Sequence, residues 1–198
     1  MPTTAMPAPE AVGPRAAQII ELIRGDEEFA ALRRSSLKYA DCWSTYTGYP
    51  LVASWNLDED APPLFDEGLK VLALKAAVYE LTDDDIAAEL LVSLPVDEMV
   101  HAIIAQAGLT KRIFDRLGIT CVHQTDHEEF GWSWGDYTQQ CYQAAGWGTP
   151  PARYWLDATE TLRRRKMLND RYATIGIERD GRRHAIDFAQ PEPELVAA

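Results

Sequence analysis

Along most of this sequence apolar residues recur at spacings of three and four, and strict alternation of apolar with polar residues appears at one place near the C-terminus. That contrast constrains the fold more than any other feature. A period near 3.6 builds a helix with one buried stripe, whereas a period of two builds a strand. Ile19, Ile20, Ile23, Phe29 and Leu32 form such a stripe over 15–34, interrupted near Gly25-Asp26. Leu64, Phe65, Leu69, Leu72, Val78 and Leu81 form another over 64–80. Thr82 then offers an N-cap, with Asp83 to Asp85 in the first turn of a short helix that runs to Leu91. Ser93-Leu94-Pro95 opens the next helix, which Gly118 stops after Leu117, with a kink at Gly108. Two further helices follow, Asp136 to Ala145 and 152–169.

The alternating stretch spans 172–188 and is centred on Asp180-Gly181, a strong signal for a tight β-hairpin. The expected architecture is a mainly α bundle of roughly five to seven helices with one C-terminal antiparallel hairpin. A single domain over 15–189 is expected, with 1–14 a flexible lead-in and 190–198 a flexible tail. Residues 35–63 and 119–134 show no clear period and read as irregular; the first holds several aromatics and the Pro62-Pro63 pair.

Charge narrows the partners. The net charge is −12, from 31 acidic and 19 basic residues. Nucleic-acid affinity rests on many Lys and Arg contacts to phosphate, so a nucleic-acid partner is not expected, nor is an anionic membrane. No run of 18 apolar residues exists, and the N-terminus lacks the basic and apolar segments of a secretory signal. Cys42, Cys121 and Cys141 are odd in number and widely spaced, which fits reduced thiols in a cytoplasm better than disulfides. The one basic run, Arg163 to Lys166, is spread around its helix and reads either as ion pairing with the acidic remainder or as stabilising a helix C-terminus.

Four histidines and their acidic neighbours carry the candidate chemistry. Glu98 and His101 are i and i+3 on one helix face, with Asp97 beside them. Glu-x-x-His is the pair that di-metal helical bundles contribute from two of their helices, although one copy is present here. His123 and His127 lie in His-Gln-Thr-Asp-His-Glu-Glu. Imidazoles suit zinc, iron and copper, and nearby carboxylates complete such sites. The catalytic candidates are His101, His123, Glu98 and Asp97; the candidate ligands for a divalent transition metal are His101, His123, His127 and Glu98. The structural alternative makes Asp97 and Glu98 helix N-terminus residues and has His101 hydrogen-bonded to a loop. Trp132, Trp134, Trp147 and Trp155 form an aromatic group that either fills the core or presents a binding surface. A cysteine nucleophile is the weakest candidate, with Cys121 two residues from His123.

The segment from Leu94 to Trp155 resembles the conserved domain of the glycine-rich domain-containing proteins of plants and bacteria. Val96-Asp97-Glu98-Met99-Val100-His101 matches that family's V-D-E-x-W-H helix opening, Leu117-Gly118 and His123 follow in register, and the stretch from Tyr142 through Pro150-Pro151 to Trp155 matches its closing signature. Phe65 to Leu81 is similar to the family's upstream helix. The chain departs from the pattern at Val100, where the family has Trp, at Ile103, where it has a second His, and at Thr110, where it has Tyr. The hairpin stands where a glycine-rich tail would follow. The resemblance implies a helical fold, proximity of His101 to the loop residue His123, and burial of Trp155 against the helix that starts at Pro95.

Two functions follow. One is a small enzyme, metal-dependent or acid–base, acting on a small-molecule substrate through a His/carboxylate pocket. The other is a non-catalytic module that engages a protein partner through its aromatic surface and hairpin edge. A homo-oligomer is compatible with either.

Overall fold

A computed structural model of the chain describes residues 5–39, 48–123 and 131–186. Its elements in chain order are α1 (Pro9–Gly25), α2 (Phe29–Lys38), a 3-10 turn at Tyr49–Leu51, α3 (Leu57–Thr82), α4 (Asp85–Ala88), α5 (Leu94–Ile104), α6 (Ala107–Leu117), α7 (Tyr137–Ala144), α8 (Ala158–Ala173), β1 (Ile177–Glu178) and β2 (Arg183–His184). The fold is mainly α with one antiparallel hairpin, as the periods imply. None of the described helices is long and apolar enough to cross a membrane.

The longest helix, α3, is the axis of the molecule. It is buried on nearly every face from Leu64 to Val78 and packs against α1, α5 and α7. Each fully buried Leu or Phe there stabilises the fold by about 1.5–3 kcal/mol relative to exposure. Where α1 crosses α7 the backbones nearly touch. A Cβ placed on Gly13 would lie 2.4 Å from the Ala144 carbonyl carbon, so only glycine permits this approach.

Several boundaries differ from expectation for identifiable reasons. α1 begins at Pro9 rather than near 15, so the lead-in expected through 14 is helical over its last part. Pro9 fits the first turn, where an N–H has no intrahelical partner to lose. α3 begins at Leu57, inside the stretch expected to be irregular, and carries Pro62 and Pro63 within it. Its start is fixed by a reciprocal cap. The Asp58 N–H donates to Asn56 Oδ1 at 3.1 Å, and the Asn56 N–H donates to Asp60 Oδ2 at 2.8 Å. Asp84, not Thr82, caps α4, accepting from the N–H groups of Ile86 and Ala87. Thr82 closes α3 instead, donating to the Val78 carbonyl.

The helix expected from Pro95 to Leu117 is two helices, broken at Ala105-Gln106 rather than at Gly108. At the break the Ile103 carbonyl accepts from the Gln106 N–H at 3.1 Å and from Thr110 Oγ1 at 2.9 Å. α7 and α8 start at the side-chain caps Asp136 and Asp157. The hairpin is shorter than expected: Tyr172 and Ala173 belong to α8, and pairing is limited to Ile177 with His184 and Glu178 with Arg183.

Candidate metal centre

The site is assembled from three directions. α5 presents Asp97, Glu98 and His101 on successive turns; the segment after α6 brings in His123; and α3 with the stretch after α4 contributes Lys75 and Glu89. The expected convergence of His101 with His123 is present: their ring centroids are 4.7 Å apart, edge to face. One ligand-type atom each from Asp97, His101 and His123 falls within a set whose members all lie within 4.8 Å of one another.

His101 stands between two carboxylates. Its Nε2 is 3.6 Å from Asp97 Oδ2, and its Nδ1 is 3.9 Å from Glu98 Oε2. The i, i+4 and i, i+3 spacings on one helix produce this arrangement directly. The position of Glu98 is also set from outside α5. Gly48 lies against it, and a Cβ there would fall 2.1 Å from Glu98 Cγ. Asp97 is buried, Glu98 mostly so, and His101 keeps about a third of its side chain exposed (33%).

His123 is enclosed. Burial first, then the positive charge of Lys75 and the neighbouring His101, push its imidazole down to about 3. The ring is therefore neutral across the neutral range, the state in which imidazole binds metals. Lys75, which has no exposed surface, is hydrogen-bonded to Glu89 and stands 3.3 Å from His123 Nδ1. The Glu89 carboxylate is 3.9 Å from the same nitrogen. Sequence reasoning overlooked Lys75 and Glu89, although one signal was present: Lys75 is the one charged residue in the apolar run from Leu72 to Val78.

The donor set fits a divalent transition metal. Two imidazoles and a carboxylate are the ligand types of catalytic zinc and of non-haem iron sites. With bonds of about 2.0–2.1 Å, tetrahedral donors stand roughly 3.4 Å apart, so a set whose members lie within 4.8 Å of one another needs to contract by up to about 1.4 Å per pair. Charge points the same way. One ammonium against the carboxylates of Asp97, Glu98 and Glu89 leaves a formal excess of negative charge that a dication would balance.

The remaining candidates resolve differently. His127 and Cys42 lie outside the described residues. Cys121 and Cys141 are free thiols, and both are pushed up to about 11, chiefly by desolvation; at Cys121 Lys75 opposes the rise and Glu89 adds to it by less. A thiol held protonated is a weak nucleophile. Trp132 and Trp155 are core residues, Trp147 is partly buried against Tyr142, and Trp134 is exposed. Trp155 is buried as expected but bonds to α3, donating from Nε1 to Glu67 Oε2 at 2.7 Å. The pin on the start of α5 is made by its neighbours. Ser93 Oγ donates to the Tyr154 carbonyl at 2.9 Å and accepts from the Leu156 N–H at 2.7 Å. The basic run is ion-paired: Arg163 and Arg164 with Glu160, Arg165 with Asp180, and Lys166 with Asp170. No known protein family, curated protein or solved structure matches the chain.

Proposed function

We propose that the chain is a small metal-dependent enzyme acting on a small molecule, with His101, His123 and Asp97 holding a divalent transition metal. The observation that carries this reading is the clustering of those three donor atoms within 4.8 Å of one another, on two elements distant in sequence. The neutrality of His123 supports it, because ligation needs a free lone pair. Three protein ligands leave a position for water or substrate, as catalytic sites require. A metal bound there would polarise a substrate oxygen or lower the pKa of a bound water. The chain's own residues would orient the ion and exclude solvent from its buried side, while the part-exposed face of His101 leaves access from outside. Motif resemblance to the glycine-rich domain-containing proteins supports the register of His101 and His123.

The test is elemental analysis of untagged protein, followed by a Co2+ titration of the metal-stripped chain. About one equivalent bound, lost in His101→Ala and in His123→Ala, is the expected result. Intact binding in both variants would place the histidines in a structural role.

A second reading, a module that engages a protein partner, is favoured by exposed apolar side chains on and beside α8 and the hairpin. Leu162, Ile175 and Ile186 are 64%, 59% and 44% exposed. Concentration-dependent self-association, or partner capture abolished by Ile175→Asp but not by His101→Ala, would put this reading ahead.

A further inference from the structure

An ammonium is costly to bury unless it is paired, and the pairing of Lys75 does more than satisfy it. Lys75 Nζ stands 3.3 Å from His123 Nδ1, and Glu89, its partner, is 3.9 Å from the same nitrogen. The pair closes one edge of the His123 ring. A metal cation cannot bind at Nδ1 beside an ammonium at that range, because like charges repel strongly where water is scarce. The edge left for a metal is Nε2.

His101 is arranged in a similar way. Asp97 lies by its Nε2 at 3.6 Å, and Glu98 lies by its Nδ1 at 3.9 Å. A metal shared by His101 and Asp97 therefore takes the Nε2 edge, and Glu98 falls on the opposite edge of the ring. Ligating histidines generally meet a carboxylate or carbonyl at their second nitrogen, which fixes the ring's orientation.

We propose that Lys75, Glu89 and Glu98 are positioning residues of this centre: the Lys75–Glu89 pair turns Nε2 of His123 toward the metal, and Glu98 does the same for His101. The proposal rests on the metal reading and changes one part of it, since Glu98 becomes an outer partner rather than a ligand. The 3.9 Å separations exceed direct hydrogen-bond reach and are closed by a bridging water or by a small ring rotation when the ion enters.

The experiment uses the full chain with Co2+ as the only added metal, read by visible absorption and by proton NMR. In a histidine ring Cδ2 and Cε1 are both bonded to Nε2, so cobalt at Nε2 broadens both C–H signals, whereas Nδ1 ligation leaves Cδ2–H farther away and sharp. Both His101 and His123 should show broadened Cδ2–H signals. Glu98→Gln, and the paired variant Lys75→Met with Glu89→Leu, should each weaken Co2+ binding about 10–100-fold without changing the ligand count. The paired variant removes both buried charges together, so neither is left without its partner. If circular dichroism shows that it does not fold, Glu98→Gln carries the test alone. A sharp His123 Cδ2–H, unchanged affinity in the folded variants, or altered cobalt absorption bands in Glu98→Gln would each overturn the proposal. Failure of the wild-type chain to bind Co2+ sinks the metal reading; positioning is then read on the metal-free protein. There the ring nitrogen signals of His123 must move in the paired variant, and signals that stay in place would overturn positioning as well.

Discussion

Two groups of polar side chains meet α3 at different levels, and they are built to different tolerances. Around Glu67 the contacts are short: Trp155 Nε1 donates at 2.7 Å, Lys70 Nζ at 2.7 Å and the Tyr142 hydroxyl at 3.1 Å. One level away, Asp60 accepts from Arg153 at 2.6 and 2.9 Å, from the Tyr154 hydroxyl at 2.8 Å and from the Asn56 N–H at 2.8 Å. Around His101 and His123 the ring-to-carboxylate separations are 3.6 to 3.9 Å. A network closed at hydrogen-bond distance has no place for another atom between its members. Separations near 4 Å between groups that attract one another leave such a place. The first group is a packing network; the proposed metal site rests on the looser ring-to-carboxylate contacts of the second, beside the hydrogen-bonded Lys75–Glu89 pair.

The largest expected effect breaks the comparison from the packed side. Trp155→Ala removes a ring packed on Trp132 and Tyr142 and takes away a donor from a buried carboxylate. The loss should be about 3–5 kcal/mol in denaturant melts, from the cavity and the exposed charge together. A loss below about 1 kcal/mol would show that the Glu67 network is not what holds this side of α3. If the two groups are separate, a folded population of the variant keeps its Co2+ affinity.

The second effect comes from the other group. His101→Ala removes a ring that is one-third exposed, so metal-free stability should change by about 1 kcal/mol or less. What it should abolish is stabilisation by metal, which is about 2.7 kcal/mol at a free concentration 100 times the Kd. Thermal melts with and without Zn2+ separate the two. Equal loss in both would return His101 to the packed class.

A third, smaller effect sharpens the contrast through pH. Arg153, with a backbone N–H and the Tyr154 hydroxyl, holds the Asp60 carboxyl down to about 2, against the rise that burial would cause. A folded-state pKa below the unfolded value means the unfolded chain binds the proton first. The Asp60 contribution is therefore complete above about pH 4 and is lost as pH falls through about 2. With solvent screening at the half-exposed Arg153, it is on the order of 1–2 kcal/mol. Asp60→Asn should reduce stability at pH 7 by that amount and flatten the acid limb between pH 4 and 2. A variant whose acid limb matches wild type would show that Arg153 adds nothing there.

The helical fold was legible because α1 and α6 bury one apolar face at helical spacing, and α3 carries a long apolar run that is buried almost throughout. The start of α3 was not, because Pro62-Pro63 reads as a break and outweighs the local cap at Asn56, while the anchoring of Asp60 by Arg153 is a long-range fact. The sequence reads as one helix with a kink at Gly108, the visible breaker; the actual break lies at Ala105-Gln106, where neither residue signals one. In the site, Asp97, Glu98 and His101 were readable from helical spacing, and His123 from motif register. Lys75 and Glu89 were not, since pairing between a helix interior and the chain after α4 has no local pattern.

The smallest effect tests the placement of Glu98 without touching its charge. Gly48 presses on Glu98 so closely that an added methyl would sit 2.1 Å from Cγ and 2.8 Å from Cδ, so Gly48→Ala must drive Glu98 into another rotamer. Glu98 keeps part of its surface exposed and can swing outward, which puts the loss near the low end for overpacking, about 1 kcal/mol. The binding readout is the informative one. If Glu98 only caps the helix, Co2+ affinity in Gly48→Ala stays at the wild-type value. If Glu98 orients His101, affinity falls by roughly tenfold, the low end of what loss of an outer partner costs, and Gly48→Ala combined with Glu98→Gln is no weaker than Glu98→Gln alone. Additive losses in that cycle would mean Gly48 and Glu98 act on the site independently, and the contact between them would have no part in holding the ring.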